Sequence, residues 1–419
     1  MKRLCADTAT LIENYETSPV AEPKLRRKRR RRNSSSKPDA TKFRLLVEGL
    51  VCDLAHRNAL EPDGWLVVSR RNDDIAGRSR YKPEYLGKPL PHLLDTLATP
   101  EIGFIEQRLG KHVRGTTFGN STMIRPTKRL RDRFEQHDAG LDSVKLRHGE
   151  EVVVLRGNRD DDFGNPREWL EYPDDAQTEK LRADLRRINN YLEAEFETNA
   201  DGTVDTFASD GLPIGVDPTA VRMRRFFTHG SFTTGGRLYH GFWQRLTRDQ
   251  RASLLTIQNE STVTLDYSQA ALRIAYGVAG APLPDGDGYA ITRLEGYRTA
   301  TKRLVNSMLF PRQPHWKLLI PKTIKKKLPD LPEIDIVEAV KAHHPALADY
   351  WWTDIGHRIQ RIESDIIVEC LLQCIDRDIV ALQVHDALII PRSAEATVRK
   401  IMVETFERIA GVPAGVTTE

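Results

Sequence analysis

At 419 residues, 39% hydrophobic and 29% charged, the chain is long enough for two or three domains with sizeable cores and reads as soluble and globular. Its net charge of +4 is a small excess between large opposing numbers, so the distribution of charge says more than the sum. No run of about 18 apolar residues offers a membrane span and the N-terminus lacks the apolar region of a signal peptide, so a cytoplasmic protein without membrane contact is expected.

The chain opens on a segment that includes KLRRKRRRR, Lys24 to Arg32, followed by the Ser-rich NSSSKPDA. Like charges at that density repel one another and attract polyanions by counterion release. Residues 1–39 are therefore expected to be a disordered basic arm that contacts nucleic acid, with a solvated tail or a localisation signal as the plainer reading. From Lys42 helical spacing appears in FRLLVEGLVCDLAHRN; GWLVVSR reads as a short strand, and KPLPHLLDTLATPEIGFIEQRLG as a helix leading into a strand. NSTMIRPTKRLRDRFEQH then reads as a strand and, after Pro126, a basic helix. This order suits a winged-helix-like nucleic-acid-binding module over 40–170, or equally a structural cap on the C-terminal domain.

EVVVL, at 151–155, reads as a strand, and GNRDDDFGNPREWLEYPDD as a turn-rich acidic connector whose aspartate triplet is a solvated loop rather than a metal site. Thr178 to Phe196 reads as a long amphipathic helix with an Arg/Lys-rich face. The four cysteines, Cys5, Cys52, Cys370 and Cys374, are too scattered for a disulfide framework or a four-ligand zinc site. Cys370 and Cys374, four apart on an apolar helical stretch, read as core thiols.

Chemistry concentrates beyond residue 220. GSFTTGGRLYHGFWQRL combines a glycine hinge with Arg237, Tyr239 and Trp243; arginine suits phosphate oxygens and aromatic faces suit bases, although rings beside glycines also serve as core and turn. In TVTLDYSQAALRIAYG a strand-like run ends on Asp266, and in DIVALQVHDALIIPRS two apolar runs flank His385-Asp386 as a tight hairpin. If the hairpin pairs beside the first strand, Asp266 and Asp386 face each other and need a cation between them, the geometry of a two-metal site for phosphoryl transfer. Between them, Arg298, Lys302, Asn306 and Phe310 recur every four residues along one helical stripe. Two cations, an amide and a ring suit a nucleoside triphosphate; an exposed basic helix is the alternative.

In this order the three elements resemble motifs A, B and C of family A DNA polymerases and the related single-subunit phage-type RNA polymerases. LDYSQAALRI is similar to motif A, RTATKRLVNSMLF to motif B and LQVHDALII to motif C, while GGRLY resembles the glycine-arginine element before motif A in its RNA polymerase form. The resemblance implies an α+β right-hand polymerase core over 171–419: thumb at about 171–200, palm at about 201–285 and 365–419, fingers at about 286–364. It implies two Mg²⁺ ions, with Mn²⁺ as the alternative, held by Asp266, Asp386 and the Tyr267 carbonyl. Lys302 would stabilise charge on the triphosphate, Arg298 would hold the γ-phosphate, His385 would touch the primer terminus, and Arg237 would meet the nascent pair. The helix from Thr178 would grip duplex backbone, and Trp351 and Trp352 would serve packing.

The chain also departs from the family. Ala271 stands where DNA polymerases carry the glutamate that closes the sugar pocket, Asn306 and Phe310 replace the usual aromatic and tyrosine of motif B, and Ala387 replaces the glutamate after the motif C aspartate. The intervals between motifs are short for the family, which implies small fingers, and no proofreading exonuclease pattern precedes them. The expected function is template-directed DNA polymerisation with relaxed sugar selectivity, on a DNA primer-template and with replication partner proteins, in replication or repair of a mobile element. The alternatives are an RNA polymerase or primase, an untemplated terminal transferase and, outside catalysis, a replication initiator whose palm is a remnant.

Overall fold

The computed structural model describes residues 1–22, 24–25, 37–75, 78–83, 85–111, 120–145, 149–158, 168–195, 216–311 and 319–419. The basic run from residue 26 onward, the Ser-rich stretch and the acidic triplet lie outside them. The chain is a mixed α/β protein that divides into two compact units, Met1–Glu151 with the short stretch ending at Thr219, and Val152–Glu197 with Ala220–Glu419. No helix among the described residues is long and apolar enough to cross a membrane.

The first unit begins with α1 (Lys2–Thr17), where a disordered arm was expected. Leu4, Thr8, Ile12 and Tyr15 fall on one helical face and are buried, a period that the basic run downstream outweighs in composition. Helix α2 (Lys37–Leu60) packs against it and is followed by β1 (Leu66–Val68), α3 (Asn72–Ile75), α4 (Pro89–Leu97), β2 (Ile105–Arg108), β3 (Thr122–Pro126) and α5 (Lys128–Gln136). Pro89 opens α4 at a position whose N–H has no intrahelical partner in any case. The strands form an antiparallel sheet in the order β1-β3-β2. In β3, Thr122, Ile124 and Pro126 are buried, and Ile124 joins a core with Leu50 and Leu54 of α2 and Leu93 and Leu94 of α4.

The second unit holds two sheets and most of the long helices. The first sheet runs β4 (Val153–Leu155), β5 (Arg224–Thr228), β6 (Ser231–Tyr239); β4 is parallel to β5, and β5 and β6 close through a two-residue turn at His229-Gly230. Helix α6 (Ala176–Glu195) lies between β4 and β5 in sequence and buries Leu181, Leu185, Ile188 and Leu192. Next come α7 (Arg248–Leu254), capped by the reciprocal Thr247 and Gln250 bonds, β7 (Thr256–Ile257), β8 (Glu260–Tyr267), α8 (Ala270–Ala279), α9 (Arg298–Met308), α10 (Lys322–Lys325), α11 (Glu333–His343) and α12 (Ile355–Ile375). The chain then forms β9 (Leu382–Val384), β10 (Ala387–Pro391), α13 (Glu395–Ala410) and β11 (Val416–Thr418).

The second sheet is antiparallel throughout, in the order β11-β8-β10-β9, with β7 paired to β8. Leu265, Leu388 and Ile390 of this sheet are fully buried, as are Ile366, Leu371 and Phe406 of the helices α12 and α13. Cys370 and Cys374 are buried free thiols on α12, as their spacing suggested. His344, at the end of α11, is 0% exposed and lies 2.9 Å through Nδ1 from the Tyr276 hydroxyl of α8.

Candidate active site

The sequence of β8 alternates sharply: Val263, Leu265 and Tyr267 are buried, while Thr262, Thr264 and Asp266 share the half-exposed face. Burying one face fixes the register, since a slip of one residue would turn Asp266 into the core. In that register Asp266 pairs with Ala387 of β10, and Val384 with Ala387, which leaves His385-Asp386 as a two-residue turn. His385 takes φ 57°, the left-handed conformation that the first position of such a turn demands. Asp386 therefore sits in the turn, one residue from the position opposite Asp266, which Ala387 takes; the sequence reading had the two aspartates facing each other. The Trp243 indole N–H donates to the Gln383 carbonyl at 2.8 Å, and the Gln244 amide donates to the Gln383 side chain at 2.7 Å, fixing β9 beneath the turn. Trp243 is 0% exposed, so it belongs to the core rather than to a ligand.

Burial, and after it the charges of Asp386 and Glu419, push the Asp266 carboxyl up to about 7, against the pull of Lys302. The carboxylates thus share one field, and a cation between them would relieve it. Tyr267 turns its side chain the other way: the ring stacks on Phe406 and the hydroxyl donates to the Met402 carbonyl at 2.8 Å, so only its backbone stays near Asp266. On the far edge of β8, the Thr417 hydroxyl of β11 donates to the Asp266 carbonyl at 3.4 Å.

Helix α9 buries Ala300, Thr301, Leu304, Val305 and Met308 and exposes Arg298 and Lys302. The predicted stripe divides among different partners. Lys302 acts on Asp266. Arg298 forms an ion pair with Asp287 and lies 5.8 Å over the Tyr289 ring. Asn306 accepts from the Tyr289 hydroxyl at 3.3 Å. Phe310 lies past the end of α9, so it leaves the stripe; its ring meets His357 edge-on at 4.9 Å and occupies the space beside Gly356.

Arg237 on β6 donates through Nε and Nη2 to one oxygen of Glu363, at 3.0 and 2.7 Å. Glu363 is 4% exposed, and burial pushes its carboxyl up to about 7 although Arg237 opposes this; Asp386 and Asp266 raise it further. Burial, then Arg237, holds His385 below the ordinary histidine range, favouring a neutral imidazole at the turn. Tyr239 meets Phe226 edge-on at 5.6 Å, and Ala271 stands half-exposed in the first turn of α8. Trp351 is 7% exposed and Trp352 receives Lys341 over its ring at 5.2 Å, both in packing roles. On α6, Lys180 pairs with Asp184, Arg182 with Asp174 and Arg187 with Asp376.

Three carboxylates of the site were missed in the sequence: Glu363, flanked by Arg361 and Asp365 in the charged part of α12, Asp287 in the loop DGDGY, and Glu419, none of which the local pattern sets apart.

No family model matches the chain, and no curated protein matches it. Among solved structures it is similar to the POL domain of Pol1 from M. smegmatis in complex with DNA primer-template and dNTP, at 14% identity and a TM-score of 0.30. That match covers 58% of this chain and 50% of the other, so the chain spans about half the length of the structure it matches.

Proposed function

We propose that the chain is a template-directed nucleotidyltransferase, a nucleic-acid polymerase of the family A type that uses divalent cations, a DNA primer-template and nucleoside triphosphates. The observation that carries this reading is the β8–β10 register, which brings Asp266 and the Asp386 turn to one end of one sheet. The motif order in the sequence supports the polymerase class. In this reading the sheet β11-β8-β10-β9 is the palm of a right hand, α9 to the start of α12 the fingers and α6 the thumb. The first unit, with its β1-β3-β2 sheet entered from α2 and α4, is a winged-helix-like nucleic-acid-binding module.

Asp266 and Asp386, with the Tyr267 carbonyl, would hold Mg²⁺, or Mn²⁺ in its place; oxygen donors suit such hard cations, and the raised Asp266 pKa fits a site built for positive charge. When bound, the ions supply neutralisation of phosphate charge and a lowered pKa for the attacking 3′-hydroxyl. Lys302 stabilises the charge that develops on the departing pyrophosphate. Arg298 exchanges Asp287 for the γ-phosphate. Neutral His385 offers an uncharged polar contact at the primer terminus, while Arg237, aligned by Glu363, meets the nascent pair. Ala271 raises no wall against a 2′-hydroxyl, so relaxed sugar selection in replication or repair of a mobile element is the expected role.

The test is extension of a labelled primer-template with dNTPs and, separately, rNTPs, each with and without template. Incorporation should fall by at least ~10²–10³-fold in Asp266→Ala and Asp386→Ala, the scale of losing a main electrostatic group in a transition state. Variants that incorporate like the unaltered chain would overturn the assignment, and template-independent extension would place the activity with terminal transferases instead.

A further inference from the structure

Away from the palm carboxylates, we infer that His229, Asp354 and His357 form a binding site for a zinc-class transition-metal ion. One ligand atom from each lies within 4.8 Å of the others, and among the described residues this is the His, Cys, Asp and Glu cluster with that geometry. The ligands come from two elements. His229 occupies the first central position of the β5–β6 turn at φ 58°, followed by Gly230 at φ 62°. Glycine and asparagine fit such a turn with least strain, so a histidine there brings an imidazole at some backbone cost. Asp354 stands at the N-cap of α12 but makes no side-chain cap bond. An aspartate at an N-cap ordinarily accepts from the first turn of its helix. This one instead meets His357 Nδ1 and lies 3.7 Å from His229 Nδ1.

The two imidazole rings lie 4.0 Å apart between centroids, tilted by 52°. Two imidazolium ions do not approach so closely without penalty, whereas two neutral rings converge readily on a cation. Zinc binds imidazole nitrogen and carboxylate oxygen at about 2.0–2.2 Å in a tetrahedron, which puts ligand atoms about 3.3 Å apart. Small side-chain rotations span the difference from the observed spacing. Two nitrogens and one oxygen favour zinc over magnesium, which prefers all-oxygen shells, and three protein ligands leave the fourth position to water. The carboxylate is half in solvent, at 52% side-chain exposure, so the ion can enter and leave.

The site also lies where three segments meet. The Phe310 ring meets His357 at 4.9 Å, and the N–H groups of Trp352 and Gly356 donate to the carbonyls of Met308 and Leu309 at 2.5 and 2.8 Å. A bound ion therefore ties the β5–β6 turn to the start of α12, against which the segment after α9 is docked.

The test is titration of the full chain with Zn²⁺ after removal of metals by a chelator, followed by calorimetry and by thermal melting. Cobalt substitution separates this site from thiolate sites, because imidazole and carboxylate ligation gives no sulfur charge-transfer band. The unaltered chain should bind an ion here and melt higher with it, and so should Asp386→Asn, in which the palm carboxylates no longer compete for the metal. His229→Asn, which keeps a residue that tolerates the left-handed turn, and His357→Gln should bind at least ~100-fold more weakly, beyond what loss of an outer-shell partner costs. In chelator, His229→Asn should melt with the unaltered chain. Zinc binding unchanged in both histidine variants, a sulfur band in the cobalt spectrum of this ion, or no binding by the unaltered chain would overturn the site.

Discussion

Ala271 shows how much can rest on one missing side chain. On the proposed function, Ala271→Glu restores a wall in the first turn of α8 and should raise preference for dNTPs over rNTPs by at least ~10-fold, judged by kcat/KM for each set. Unchanged sugar selectivity would separate Ala271 from the sugar. His344 carries a different consequence. Burial first, then neighbouring His343, holds its pKa at about 4, so the folded protein keeps it neutral where an unfolded chain would take up a proton. The contribution is present above the ordinary histidine value near 6.5 and is lost as pH falls towards 4, because the unfolded state then binds the extra proton. The full span is on the order of 3 kcal/mol. Denaturation midpoints measured from pH 7 to 4 should fall less steeply for His344→Gln than for the unaltered chain; parallel curves would remove His344 as the cause.

Helix α8 approaches α13 so closely that a Cβ on Gly277 would lie 2.0 Å from the Ala410 carbonyl oxygen. Gly277→Ala should therefore destabilise the second unit by about 1–3 kcal/mol or more through overpacking, read as a lower denaturant midpoint and, on the proposed function, as a loss of incorporation because α8 follows Asp266 directly. An unaltered midpoint would mean that the helices part at no cost. At this scale the sequence is informative where the pattern is local. The alternation of Val263, Leu265 and Tyr267, the His385-Asp386 turn between apolar runs and the buried period of α9 all lie within a few residues. What escaped notice is long-range: Glu363 meets Arg237 across 126 positions, and no periodicity encodes that pairing. Helix α1 escaped for the opposite reason, its short apolar period being outweighed by the cations downstream of it. The predicted stripe on α9 holds as helix geometry for Arg298, Lys302 and Asn306 but not for Phe310, which lies past the helix end, and not as a shared contact, because Asp287 and Tyr289 arrive from another loop.

For the whole molecule, the basic run and the two units make a quantitative expectation about polyanion binding. Replacing the arginines and lysines of 24–32 with alanine should weaken binding to duplex or single-stranded DNA and flatten its dependence on salt. The slope of log K against log salt should change by about 0.7–0.9 for each phosphate that is no longer neutralised. On the proposed function, the rate of incorporation at saturating primer-template should stay as it was, since none of these residues belongs to the candidate site. An unchanged slope would mean that the run does not touch the strand and that nucleic-acid affinity resides in the folded units.

On the proposed function, the ion pair between Arg298 and Asp287 turns nucleotide entry into a contest between a tethered anion and a diffusing one. A carboxylate fixed by the chain competes at a high effective concentration, so a nucleotide with few phosphates is poorly placed to displace it. A triphosphate, with charge to spare for Lys302 as well, can succeed. After transfer, the same tether is ready to reclaim the guanidinium and help pyrophosphate depart. On the proposed function, a loop aspartate that the motifs do not mention would thus set both the threshold for entry and the pace of release.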